Sequence, residues 1–240
     1  MVVKSLTYKG AEEEELTAKK QTSSLLLLIS ICCAIMLVVD GFIRPAYAVK
    51  SVIKIIFFLV CPLLYAKRYK QIDIRSILKW DAKQMKFTLL LGLAVFSIIL
   101  AAYFVIRNFF DFTPIADLLV QNAGVTGKTF IFVAIYISFV NSLLEEFFFR
   151  GFAFLALKKI ASRKIAYLVS SIAFAVYHVA MMDGWFSIGL FILAMAGLAV
   201  GASIFNYLNE KTGTIYNSWI VHMFANFAIN TVGFILFEIL

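Results

Sequence analysis

The chain has 240 residues, of which 62% are apolar and only 15% charged, with 25 Phe against 3 Pro and a formal net charge of +8. Soluble domains carry roughly 45–50% apolar and about 25% charged residues, so a water-soluble enzyme, a disordered chain and a disulfide scaffold are excluded. The basic excess is not a nucleic-acid footprint either, because its lysines and arginines fall between long apolar runs.

A membrane-spanning helix needs about 20 mainly apolar residues. Seven stretches qualify, at approximately 23–43, 48–66, 87–106, 129–157, 165–182, 186–207 and 218–240. They predict an all-α membrane protein, a polytopic bundle of seven transmembrane helices, or eight if the fourth span or the 67–86 segment is divided. The chain then divides into a polar N-terminal tail (1–22), three N-terminal spans (23–128) and a four-span core (129–240).

In chain order, the tail holds the acidic run Glu12–Glu15, expected as a solvated, mobile face. After the first span, Ala46-Tyr47-Ala48 has the small-residue pattern of a signal-peptidase site. The apolar run before it is too long for a signal peptide, so the segment reads as a retained span. Cys32, Cys33 and Cys61 are odd in number and lie in apolar runs, which predicts buried small hydrophobes rather than a disulfide. The second span carries Lys50 and Lys54 in its first turns, where long side chains can snorkel to the interface. Residues 67–86 mix basic side chains with Ile72, Ile74, Ile77, Leu78 and Trp80, as an amphipathic segment on the membrane surface would. The fourth span is too long for a perpendicular helix, so it tilts or ends early. In the sixth, Gly197-Leu-Ala-Val-Gly201 predicts close helix packing inside the bundle rather than homodimerisation; the oligomeric state is not legible. Sixteen Lys and Arg lie on one side of the spans and five on the other. By the positive-inside rule this puts the N-terminus in the cytoplasm and the C-terminus outside.

Ionisable residues inside a bilayer are expensive and usually functional. They are Asp40, Glu145, Glu146, Arg150, His178, His222 and Glu238. Asp40 and Glu238 lie near span ends and read as interfacial charges. Glu146 and Arg150 stand at i and i+4, the spacing of a helical ion pair. Glu145 points about 100° away, with no basic residue on its own helix face. A lone carboxylate in an apolar place suits general acid–base work; a charge cluster that locks two helices is the competing reading. The two histidines, His178 and His222, fall on separate spans, and His222 shares a helix face with Asn226. Counted from the flanking lysines, Glu145 and His178 each lie about 20 Å deep, so they are expected level with one another. His222 is expected shallower, unless the 210–218 connection dips inward or the span ends lie elsewhere.

The ordered set Glu145-Glu146-Phe-Phe-Phe-Arg150, Phe174-Ala-Val-Tyr-His178 and His222-Met-Phe-Ala-Asn226 resembles the CPBP intramembrane protease family, also called the Abi or CAAX-protease family. The motifs occupy residues 145–226, and each position fits the family pattern. The resemblance implies an endopeptidase acting on a membrane-associated peptide or protein within the lipid bilayer. In it, Glu145 and His178 polarise the attacking water, His222 and Asn226 donate to the oxyanion, and Glu146 and Arg150 hold the helix geometry. It also implies a bacterial cell-membrane member with a leader-type peptide as substrate, in the manner of bacteriocin processing, rather than a prenylated CAAX protein. No nucleic-acid partner and no cofactor is expected. Glu145, His178 and His222 form a His₂Glu set, a known catalytic zinc combination, so zinc is the alternative; the absence of an HExxH spacing favours metal-free, glutamate-type chemistry. A non-catalytic scaffold or bacteriocin-immunity protein of the same family is the second reading. A proton-relay transporter is the third, without the repeated halves such proteins show.

Overall fold

The computed structural model of the chain describes residues 2–69, 72–182, 184 and 186–240. The expected solvated face of Glu12–Glu15 lies outside the described side chains. Among the described residues, seven helices are long and apolar enough to cross a membrane: α1 (Leu16–Ile43), α2 (Tyr47–Arg68), α4 (Met85–Ile106), α6 (Gly127–Ile160), α7 (Arg163–Met182), α8 (Ile188–Thr212) and α9 (Tyr216–Leu236). Two shorter helices, α3 (Ile74–Ile77) and α5 (Thr113–Ala123), lie between them. Among the described residues there is no strand. The protein is thus an all-α, multi-pass membrane bundle, and the seven predicted spans are all present within a few residues.

Local sequence explains the breaks. Asp73 caps α3 by accepting the amide protons of Arg75 and Ser76, since a carboxylate satisfies the orphan donors of a first turn. Pro114 opens α5, where its missing N–H costs nothing. Gly213 ends α8 in a left-handed turn at φ +72, its N–H donated to the Asn209 carbonyl, a conformation that favours glycine.

Helix α9 packs along α4, and α7 lies between α8 and the second half of α6. Gly92 permits the first contact: a Cβ there would lie 2.5 Å from the Phe224 ring. The core gathers where α1, α2, α6 and α7 meet. Phe58 stacks on Phe148 with ring centroids 4.2 Å apart, and Phe149 and Tyr177 meet Phe58 edge-on. All four rings are fully buried.

Helix α6 neither stops early nor runs as a regular α-helix. Residues 137–141 and 146–156 wind as π-helix, as do 39–43 in α1 and 56–60 in α2. Such segments are rare and concentrate at functional sites; here they flank Glu145 on both sides.

Three expectations change. The apolar residues of the 67–86 segment do not all share one surface: Ile72 and Ile77 plug into the core, and the Ile77 carbonyl accepts the Ile215 N–H. Burial of the two isoleucines outweighs any preference for lying flat, while Leu78 and Trp80 stay outside. Asp40 is not an interfacial charge but a buried one, 5% exposed and paired with Lys50 at 2.5 Å; Glu238, by contrast, is exposed. Gly197 and Gly201 serve no contact inside the chain, because a Cβ at either would meet nothing within 4 Å. Their face of α8 points outward with Val200 and Ile204. The three cysteines are free, Cys32 and Cys33 buried as expected.

Candidate active site

Glu145 and Glu146 sit at the junction of α-helix and π-helix in α6, both fully buried. Their carboxylates diverge, and each has its own set of partners. Oε1 of Glu145 accepts hydrogen bonds from Lys54 Nζ at 3.1 Å and from Asn141 Nδ2 at 2.9 Å. Oε2 of Glu145 faces two imidazoles, with His222 Nε2 at 3.8 Å and His178 Nε2 at 4.0 Å. Glu146 turns to the other side. Its Oε1 accepts from His222 Nδ1 at 2.9 Å, and its Oε2 accepts from Ser218 Oγ and lies 3.5 Å from Arg150 Nε.

The histidines are held in different ways. His178 Nδ1 lies 2.7 Å from the Phe174 carbonyl one turn back. A carbonyl only accepts, so Nδ1 carries a proton, and Nε2 is the ring atom that faces Glu145. His222 Nδ1 meets a carboxylate instead, so Nδ1 again carries a proton, and Nε2 is left facing Glu145. Arg150 is wholly buried. Its guanidinium lies 4.0 Å from the Phe174 ring centroid and 5.0 Å from that of Phe205, a cation–π sandwich with Glu146 as counter-ion.

His222 reaches this depth because the preceding connection is tucked in. Thr214, Ile215, Asn217 and Ser218 are all buried at the start of α9, beneath Ile77. His222 thus stands beside Glu145, on a helix that begins at Tyr216 rather than at 218. Asn226 is not brought to Glu145. Its Nδ2 donates to the Ile137 carbonyl at 3.2 Å, the same carbonyl that accepts the Ser142 N–H across the π turn. Asn230 repeats the pattern one turn on, donating to the Ala134 carbonyl and to Ser138 Oγ.

Residues 127–228 match the family model described as type II CAAX prenyl endopeptidase Rce1-like. The matched model is one of the CPBP family, and the likeness is confined to this stretch. The match spans α6 to most of α9 and takes in all the residues on which the sequence resemblance rests. No curated protein and no solved structure matches the chain.

Sequence reasoning missed several residues that hold the side chains of this cluster in place. Asn141 stands four before Glu145, Ser218 four before His222, and Asn230 four after Asn226. The one-turn spacing was a usable signal, since each shares a helix face with a motif residue. Lys54 gave no such signal, being 91 positions from its partner. It does not snorkel; it is 4% exposed and points into the bundle.

Three donors face one another: Glu145 Oε2, His178 Nε2 and His222 Nε2. Zinc bonded to all three at tetrahedral angles would draw each oxygen–nitrogen pair to about 3.4 Å. The observed separations of 3.8 and 4.0 Å are wider, and an ammonium already sits 3.1 Å from the other oxygen of the same carboxylate.

Proposed function

We propose that the chain is an intramembrane endopeptidase that hydrolyses a peptide bond of a membrane-associated peptide or protein. The observation that carries this reading is the convergence of Glu145 Oε2 with the Nε2 atoms of His178 and His222 within 4.0 Å. A water hydrogen-bonded at about 2.8 Å to both Glu145 Oε2 and His178 Nε2 subtends about 90° at its oxygen, which a water accommodates. Both groups are acceptors toward that water, so both polarise it for attack on the scissile carbonyl. General-base help of this kind is worth about 10²–10⁴ in rate.

Attack moves negative charge onto the carbonyl oxygen. His222, with a proton on each ring nitrogen and Glu146 as counter-ion, donates Nε2–H to that oxygen. Asn226 has a second amide N–H beyond the one given to Ile137, and that proton is its means of joining His222. One pre-aimed donor in a dry site contributes about 3–4 kcal/mol. Collapse of the tetrahedral intermediate breaks the C–N bond, and the proton taken from water passes to the leaving amine. Glu146 and Arg150 act through His222 and the helix rather than on the substrate.

The metal-free reading is favoured by Lys54, whose ammonium would repel a dication, and by the wide donor spacing; no step above uses a metal. A second reading, a non-catalytic scaffold, has no use for two imidazoles aimed at one oxygen. We orient the N-terminus to the cytoplasm on the basic excess of the connecting segments.

The test is cleavage of a prenylated CAAX peptide and a leader-type peptide by the purified protein, with and without chelator, beside Glu145→Ala and His178→Ala. Cleavage lost in both variants and indifferent to chelator is expected. Activity that disappears with chelator and returns with zinc would overturn the glutamate-type scheme. Cleavage by Glu145→Ala would overturn the site.

A further inference from the structure

Lys54 comes from α2, outside the residues that match the family, and has been given no task in the reaction so far. Its surroundings define one. The ammonium donates to Asn141 Oδ1 at 2.5 Å and to Glu145 Oε1 at 3.1 Å, and Asn141 Nδ2 donates to the same Oε1 at 2.9 Å. The three side chains therefore close a ring of hydrogen bonds that fixes the asparagine amide: its oxygen must face the ammonium and its nitrogen the carboxylate. The remaining side of the ammonium rests over the Tyr177 ring, 5.0 Å from its centroid, with the Phe58 ring at 5.9 Å. Both rings are fully buried. The amine is thus held between a carboxylate and two aromatic faces.

A carboxylate has two equivalent oxygens and turns easily about its last torsion. Only one of them faces the histidines. We propose that Lys54 is a positioning residue of the hydrolysis: with Asn141 it occupies Oε1 of Glu145, so that Oε2 is the oxygen presented to His178 and His222, and it balances the carboxylate charge in the bundle interior. This inference rests on the endopeptidase reading. It adds that the matched core is not a self-sufficient catalyst, because α2 supplies part of the site.

Two measurements on the full chain in detergent separate the possibilities. The first is thermal unfolding of wild type, Lys54→Met, Glu145→Gln and the double variant, which needs no substrate. Removing one partner of a buried pair strands the other, so Lys54→Met is expected to lower the melting temperature by about 5–10 °C. The double variant is expected to recover most of that loss. The second is cleavage of a farnesylated CAAX peptide. Lys54→Met is expected to lose about 10²-fold or more in kcat with KM within a few-fold, as for a residue that acts on the base and does not bind the substrate. Lys54→Arg, which keeps the charge, is expected to retain the coupling to Glu145 and a measurable part of kcat.

Strictly additive melting shifts would show that the pair is not formed and would overturn the inference. Wild-type kcat in Lys54→Met would overturn it as well. Coupled stability in a wild-type protein that cleaves nothing would remove the endopeptidase reading and leave Lys54 a structural counter-charge.

Discussion

Replacing Glu146 by Gln tests whether the second glutamate is a counter-ion as well as a hydrogen-bond acceptor. Gln has the same shape and keeps an acceptor oxygen, so packing is unchanged. What disappears is the charge beside Arg150, which is fully buried and whose Nε, Nη1 and Nη2 have no hydrogen-bond partner among the described residues. Among the described residues, Glu146 is the carboxylate within ion-pair range of that guanidinium, at 3.5 Å. Stranding one member of a buried pair costs about 3–5 kcal/mol. The Phe174 and Phe205 rings remain over the guanidinium and offset about 1–2 kcal/mol of that. A net loss of about 1–4 kcal/mol corresponds to about 2–16 °C in melting temperature for a chain of this length. The same substitution replaces the charged acceptor of His222 Nδ1 by a neutral one, so cleavage falls too. Glu146→Gln combined with Arg150→Met removes the stranded charge and is expected to restore most of the stability but not the activity. Thermal unfolding of purified protein in detergent, read beside peptide cleavage, measures both. If Glu146→Gln melts within 2 °C of wild type, roughly the resolution of about 0.5–1 kcal/mol, the buried-pair reasoning is wrong.

Asn226→Ala should lower kcat by about 10²–10³ with little change in KM, whereas Asn230→Ala should cost about 1–3 kcal/mol of stability and leave the kcat of the folded fraction unchanged; equal effects of the two on kcat would rule out a special role for Asn226. At Gly151 a Cβ would lie 3.1 Å from Ile77 Cγ2, so Gly151→Val should destabilise by about 1–3 kcal/mol and be relieved by Ile77→Ala, which unfolding of the two variants checks. Gly201→Ile should shift stability by no more than about 0.5 kcal/mol, since nothing lies within 4 Å of its Cβ; a large loss would show that this face is covered in the protein.

Most of the fold was legible because a bilayer leaves one arrangement for a long apolar run, and the seven runs became seven helices. The site was legible where its parts lie on one helix or at one depth. The Glu146–Arg150 pair and the level placement of Glu145 and His178 follow from helical spacing alone. The depth of His222 did not, because it depends on Ile77 burying the 214–218 connection, a contact between segments far apart in the chain. Lys54 was misread for the same reason. A lysine in the first turns of a span reads as a snorkelling side chain until a buried carboxylate is found opposite. The π-helical winding of α6 carries no residue signature in this sequence. Gly197 and Gly201 misled in the other direction, since small residues four apart describe a smooth surface without saying what meets it.

The polar groups of the centre come from α2, α6, α7 and α9, with His222 on the last of them. Lys54 is on the second span, Glu145 on the fourth, His178 on the fifth and His222 on the seventh. The cluster is therefore knotted together from both ends of the sequence, and no contiguous half of the chain contains it.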